Sequence, residues 1–320
     1  MKLEFDLSAA LKEIKKRKVK LVLLQFPEGL KTKSEKIAME IEKRTRAKTV
    51  TLVSPCFGAC DIPISEIKQF QAGLAIHFGH SQMIPSKNIV YVPLKYSVEK
   101  KKLEKLAKKA IEELRKRKFK KIGLASTIQF TGHLQETKKY FTKHKLKVFV
   151  GKANGMSAGQ VLGCNAETSE NVKEKVQCFV FIGDGLFHPQ WIAFSTKKPV
   201  FLLDPLANSF KELDKWSAER MERGSIARTE IARKAKSYGL LVSTKPGQFN
   251  LRQALKLKEL AEKKKKKAFI FASDTIREEF LLGLNVECFV GTACPRMIID
   301  DAKHWSKRLV SAEELRKALK

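Results

Sequence analysis

What most constrains this chain is a pattern that recurs along nearly its whole length. A short apolar, often β-branched run is followed by a polar, glycine-bearing loop and then by a segment of helical periodicity. The runs fall at 19–26, 49–53, 74–78, 89–92, 121–125, 147–150, 178–182, 200–203, 239–243, 268–272 and 286–290. They are continuous rather than alternating, as expected of strands buried on both faces of parallel sheets. Strand–helix alternation of this kind predicts α/β architecture with right-handed crossovers. The runs divide into three groups: before about residue 95, from about 120 to 205, and from about 238 to 295. The lysine-rich helix expected near 99–117 and the helical stretch expected over 211–236 are the natural connectors. The expectation is therefore three α/β domains, over 1–95, 96–208 and 209–320, packed without flexible linkers. A single large sheet is the structural alternative.

In parallel α/β sheets, ligands bind in loops beyond the carboxyl ends of the strands. The unusual residues gather there: Gln25-Phe-Pro-Glu-Gly-Leu30, Ser54-Pro-Cys-Phe-Gly-Ala-Cys-Asp61 and His77-Phe-Gly-His-Ser81 in the first group. The second group adds a loop from Gly151 to Cys164 and Gly183-Asp-Gly-Leu-Phe-His-Pro189; the third adds Thr244-Lys-Pro-Gly-Gln248 and Gly291-Thr-Ala-Cys-Pro-Arg296. Most of the chain's 17 glycines lie in these loops, where they permit tight turns and close approach to a ligand.

The six cysteines sort by position. Cys178 and Cys288 fall at the starts of their strands, on the far side of the sheet from the loops. Cys288 and Cys294 would stand about 20 Å apart if the chain between them is extended, so both cannot serve one compact site. Cys60, Cys164 and Cys294 each close a carboxyl-end loop, one per group; Cys56 shares the loop of Cys60. Three soft thiolates suit zinc, copper(I) or an iron–sulfur cluster, and a catalytic thiol with structural cysteines is the competing reading. Zinc more often uses ligands paired at short spacing, or thiolates with histidine. A four-iron cluster on three cysteines would leave one iron open for a substrate.

Composition narrows the remaining classes. The 320 residues are 43% hydrophobic and 31% charged, so the chain can bury a sizeable core. No apolar run approaches the ~20 residues needed to span a bilayer. The opening Met1-Lys-Leu-Glu-Phe-Asp-Leu does not read as a signal peptide, so a reducing, cytoplasmic location is expected, where a disulfide framework is not. The net charge of +30 would suit a nucleic-acid or ribosomal partner. Its lysines, however, are spread over helix faces without interleaved aromatics or a zinc-finger spacing. The five lysines at 263–267 sit where a helix should end, which suits the negative end of the helix dipole.

Taken in order, Phe57-Gly-Ala-Cys-Asp61, His77-Phe-Gly-His-Ser81, Gly159-Gln-Val-Leu-Gly-Cys164, Asp184-Gly-Leu-Phe-His-Pro189, Ser243-Thr-Lys-Pro-Gly-Gln248 and the segment from Thr292 to Asp301 resemble the diphthamide-synthesis family. Its archaeal members are 2-(3-amino-3-carboxypropyl)histidine synthases. The resemblance runs from about residue 20 to 301. It implies three similar α/β domains around a central [4Fe–4S] cluster, with Cys60, Cys164 and Cys294 as ligands and as the catalytic centre. It implies S-adenosylmethionine as co-substrate, cleaved by a radical route, and translation elongation factor 2 as the protein substrate, modified at carbon 2 of a histidine imidazole. A homodimer and an electron donor are further implied partners; neither membrane nor DNA is. Gln25, Glu28, His77, Gly79, Ser81, Asp184, Gln248 and Asp300 are the candidate S-adenosylmethionine contacts, with His80 beside them. Cys56 is an added cysteine that the resemblance does not count. Two other readings stay in view: a quinolinate synthase-like [4Fe–4S] enzyme, and a basic RNA- or ribosome-binding protein with structural cysteines.

Overall fold

The computed structural model describes residues 2–214 and 216–320; the side chains of Lys2, Leu3, Trp216, Ser217, Asp300, Asp301 and Lys303 are outside that description. The chain divides into two compact units, Met1–Lys215 and Trp216–Lys320. Three main sheets carry the architecture, two in the first unit and one in the second.

The first sheet follows a short strand β1 (Lys2–Glu4) and holds β2 (Leu21–Gln25), β3 (Lys48–Leu52), β4 (Leu74–Gly79) and β5 (Ile89–Pro93) in the order β3-β2-β4-β5. All its pairings are parallel. Strand β6 (Lys95–Ser97) returns antiparallel to β1. The second sheet holds β7 (Lys121–Ser126), β8 (Lys147–Phe149), β9 (Cys178–Ile182), β10 (Val200–Asp204) and β11 (Ser209–Glu212), ordered β11-β10-β9-β7-β8. Its edge strand β11 is antiparallel to β10. In the second unit β12 (Ser237–Ser243), β13 (Lys267–Ser273), β14 (Cys288–Gly291) and β15 (Leu309–Ser311) form a parallel sheet ordered β13-β12-β14-β15.

All three sheets share one winding. The first strand is central, the second pairs on one side of it, and the third pairs on the other. Each sheet therefore has a switch point between its first and third strands, where a crevice opens at the carboxyl ends. Strands β4, β9 and β10 are buried throughout, which is why they read as unbroken apolar runs. Core side chains lie on both faces of the first sheet, with Val22, Leu24 and Ile76 on one and Leu23 and Ala75 on the other. The third sheet is likewise covered on both faces.

The stretch expected to be helical over 211–236 instead begins as strand. Residues 209–212 complete the second sheet, and the helix runs Trp216–Lys234. Ser209, Phe210 and Lys211 alternate in the sequence as an edge strand does, and Phe210 stacks on Phe201 with ring centroids 5.5 Å apart; that packing overrides the helical reading. Strands β1, β6, β11 and β15 lie outside the eleven runs because each is short, β11 and β15 at sheet edges and β1 and β6 in the small two-stranded sheet.

Much of the positive charge has a local structural place. The helices Ser8–Lys16, Ser34–Thr45, Lys100–Lys116, Trp216–Lys234 and Leu251–Lys263 all carry basic residues in the last turn, where cations complement the dipole. Lys18, Arg46, Lys118, Lys145, Lys197 and Lys265 adopt positive φ, each within two residues after a helix end, a conformation more often left to glycine. Among the described residues, no helix is long and apolar enough to cross a membrane.

Candidate metal and cofactor site

At the switch point of the first sheet, between β2 and β4, three polar side chains form a row. Gln25 is in register with His77, and His77 with Tyr91. His77 is fully buried and Gln25 nearly so, so their polar atoms must satisfy one another. His77 Nδ1 lies 2.7 Å from Gln25 Oε1, and His77 Nε2 lies 2.9 Å from His80 Nδ1. Gln25 Oε1 can only accept, so His77 carries its proton on Nδ1 and offers the Nε2 lone pair towards His80. Tyr91 stacks obliquely on His77, ring centroids 5.2 Å apart, and donates its hydroxyl to Ile84 O at 3.0 Å.

Burial sets the protonation of this cluster. Desolvation, with His80 beside it, lowers the His77 pKa to about 3. Desolvation likewise lowers that of His80 to about 4, against the opposing pull of the Asp61 charge. Both rings are neutral at ordinary pH and can act as ligands or hydrogen-bond partners. Burial also raises the Tyr91 hydroxyl above its usual value, with Cys60 adding to the shift. Cys56, buried in the loop after β3, joins the two histidines: one ligand atom from each of Cys56, His77 and His80 falls within 4.8 Å of the others.

Apart from Cys56, the cysteines separate into two environments. Cys178 and Cys288 open β9 and β14, are fully buried, and burial pushes both thiols up to about 12. Such protonated thiols make poor metal ligands. Cys60 is partly exposed, in the loop after β3. Cys164 is exposed, beyond β8 in a turn closed by the backbone pair Leu162–Asn165. Cys294, partly exposed, follows β14 in the second unit, and its carbonyl accepts from Met297 N at 3.2 Å. Accessible cysteines on carboxyl-end loops are the type of donor that an iron–sulfur cluster takes. Two of them, Cys60 and Cys164, follow the second strand of their sheets, whereas Cys294 follows the third, so the repeat is not strict at this position.

Within the first unit, the loop bearing Cys164 is hydrogen-bonded to the loop that follows β4. Ser81, beyond β4, accepts from Gln160 Nε2 at 2.7 Å. Gln160 is buried, also accepts from Ser157 N, and its carbonyl takes the Thr168 hydroxyl. Beside this bond lies a cavity of about 490 Å³, lined by Ser81, Gln82 and Tyr91 from the first sheet and by Ile128, Thr131 and Ser157 from the second. Its size falls in the range of small-molecule sites.

The remaining expected contacts are scattered. Glu28 is largely exposed and paired with Lys31 at 2.6 Å. Gly79 has φ +89°, and a Cβ there would come within 2.8 Å of Pro27, so it serves the turn after β4 and the loop after β2. Asp184 is exposed on the loop after β9, with its charge reaching Tyr96. Gln248 is half-buried in the second unit, its amide held by Lys245 O. Asp300 lies in the turn Met297–Asp301, and its side chain is outside the described ones. Sequence reasoning missed Tyr91 and Gln160. Tyr91 was hidden because its register with His77 is not visible in one strand. Gln160 sat inside a quoted loop, but its partner is 79 residues away.

Comparison with known proteins places this geometry. Residues 26–320 match the family model described as "Putative diphthamide synthesis protein". The 2-(3-amino-3-carboxypropyl)histidine synthase of Pyrococcus horikoshii is 31% identical over 319 residues, covering 98% of this chain and 89% of the relative. That of Methanocaldococcus jannaschii is 28% identical over 311 residues, covering 93% and 84%. Among solved structures, Dph2 from Pyrococcus horikoshii with its 4Fe–4S cluster matches with a TM-score of 0.88 at 31% identity, over 99% of this chain and 90% of that one.

Proposed function

The chain belongs to the diphthamide synthesis family, and from that premise we propose that it is a 2-(3-amino-3-carboxypropyl)histidine synthase. It transfers the 3-amino-3-carboxypropyl group of S-adenosylmethionine to carbon 2 of a histidine imidazole on translation elongation factor 2. Methylthioadenosine leaves, and the imidazole loses one proton, which balances the lost sulfonium charge.

The observation that carries this reading is the division of the cysteines. Cys178 and Cys288 are sealed as thiols, and Cys60, Cys164 and Cys294 are accessible on carboxyl-end loops. These three are the proposed cluster ligands. When bound, such a cluster would supply one electron to break the sulfonium's bond to the aminocarboxypropyl carbon and would take one back, as the imidazole loses its proton, once the new carbon–carbon bond has formed, so the transfer is redox-neutral and the donor serves to reduce the cluster. The polypeptide binds and orients. Gln25 fixes the His77 ring, the neutral His77–His80 pair offers polar contacts without a competing charge, and Ser81 and Tyr91 face the adjoining cavity. Glu28, Gly79, Asp184, Gln248 and Asp300 complete the proposed contacts. The reaction needs an external electron donor, and the family resemblance supports a homodimer working in the cytoplasm.

Anaerobic reconstitution tests this. The protein should take up iron, show a cluster signal by electron paramagnetic resonance when reduced, convert S-adenosylmethionine to methylthioadenosine, and label elongation factor 2. A reconstituted protein that holds no iron would refute it.

A further inference from the structure

Beside the proposed cluster loop stands a second set of metal-ligand atoms, of which the transferase reading uses His77 and His80 only as polar contacts and Cys56 not at all. We propose that Cys56, His77 and His80 bind one zinc-class divalent metal ion, separate from the cluster ligands, which pins the loop after β3 to the end of β4.

The geometry approaches the needs of such a site with only side-chain adjustment. The Cys56 thiol and one nitrogen of each imidazole already lie within 4.8 Å of one another. A tetrahedral zinc ion, with bonds of about 2.3 Å to sulfur and about 2.0–2.1 Å to nitrogen, needs its ligand atoms about 3.3–3.6 Å apart. The His77 Nε2 to His80 Nδ1 separation is 2.9 Å, a hydrogen bond that the ion would replace. A small spreading of the rings and a closing of the thiol would complete three corners. Two imidazoles with one thiolate form a borderline-soft donor set suited to zinc.

The surroundings supply the outer support that metal-bound imidazoles need. Gln25 Oε1 receives the Nδ1 proton of His77, which fixes that ring with Nε2 directed at the site. Gln25 is itself almost wholly buried, on the rigid central strand β2. Binding would move the His80 proton from Nδ1 to its other nitrogen and release the Cys56 thiol proton, so each ion taken up frees one proton. The fourth corner is left for solvent or a loop group. Cys60 lies outside this group of ligand atoms, although only four positions from Cys56. The metal would thus set the loop from which Cys60 projects, making Cys56 a positioning residue.

Zinc is the probe. Iron-loaded wild-type protein, whose cluster thiolates are already taken, should bind about one further zinc per chain, with a zinc X-ray absorption shell of about one sulfur and two imidazole nitrogens. Cys56→Ser and His80→Ala should abolish that zinc while four iron atoms remain. Gln25→Ala should weaken zinc binding about 10–100-fold. In a Cys60→Ala/Cys164→Ala/Cys294→Ala chain, zinc should still bind with the same shell, which keeps this test independent of the cluster assignment. Failure of iron-loaded protein to take up zinc, an all-sulfur shell, or zinc that survives Cys56→Ser would overturn the proposal. Should the Cys56 or His80 variants not fold, the wild-type shell alone decides between these outcomes.

Discussion

Gln160 donates a 2.7 Å hydrogen bond to the hydroxyl of Ser81, joining the loop that leads to Cys164 to the loop that follows His77. Gln160 is 1% exposed and its side chain has a second bond to Ser157 N. Gln160→Ala should therefore remove two part-buried hydrogen bonds and cost about 0.5–1.5 kcal/mol for each bond lost, read as a lower denaturant midpoint. Because the lost bond anchors the loop that carries Cys164, iron retention on dilution should also fall.

The cysteine division makes a sharper test. Cys60→Ala, Cys164→Ala and Cys294→Ala should each abolish the cluster signal, measured as iron per chain and by electron paramagnetic resonance. Cys178→Ala and Cys288→Ala should retain it, at a cost of about 1 kcal/mol each for the small cavity left in a packed strand. Loss of iron in Cys178→Ala with the fold intact would contradict the assignment.

These cysteines show what one sequence could reveal. Cys178 and Cys288 were separable because a strand start lies opposite the ligand-binding edge, and strand starts are readable from continuous apolar runs. The shared winding of the three sheets was legible in part, as three groups of runs, but strand order depends on long-range pairing and β11 was masked by a helical neighbour. The row Gln25–His77–Tyr91 was not legible, since it is a register between three strands. Gln25 and His77 were singled out individually; their 2.7 Å contact arises from that register. Cys56 was set aside on resemblance, and its place beside two histidines emerges from the folded loop.

Gly151 presents a position where backbone, not side chain, sets the limit. A Cβ there would meet the carbonyl oxygen of Thr168 at 1.6 Å, and Thr168 in turn holds Gln160 O through its hydroxyl. No rotamer change relieves a clash with a carbonyl. Gly151→Ala should cost at least about 3 kcal/mol and disorder the 151–164 loop. Gly155→Ala, where nothing lies within 4 Å, should fold, with the lesser penalty of a positive φ. Urea titration of the two variants, with protease sensitivity of the loop, separates these effects.

The lysines at 263–267 are not equivalent. Lys266 Nζ donates to the carbonyls of Arg233 and Ala235, both at 2.6 Å, and lies 5.7 Å from the ring centroid of Tyr238. It caps the end of helix Trp216–Lys234, where carbonyls lack helical partners. Lys263, Lys264 and Lys265 are exposed. Lys266→Gln should cost about 0.5–1.5 kcal/mol through lost bonds to these carbonyls, seen as a lower unfolding midpoint at any salt concentration. Replacing Lys263, Lys264 and Lys265 together with Gln should change stability by less than about 0.5 kcal/mol. Those three therefore give a clean probe of docking. If this patch receives the acidic surface of a protein substrate, the triple variant should slow modification at low salt and lose that difference at high salt, with S-adenosylmethionine cleavage unchanged. An unaltered modification rate at low salt would assign the patch to solvation alone.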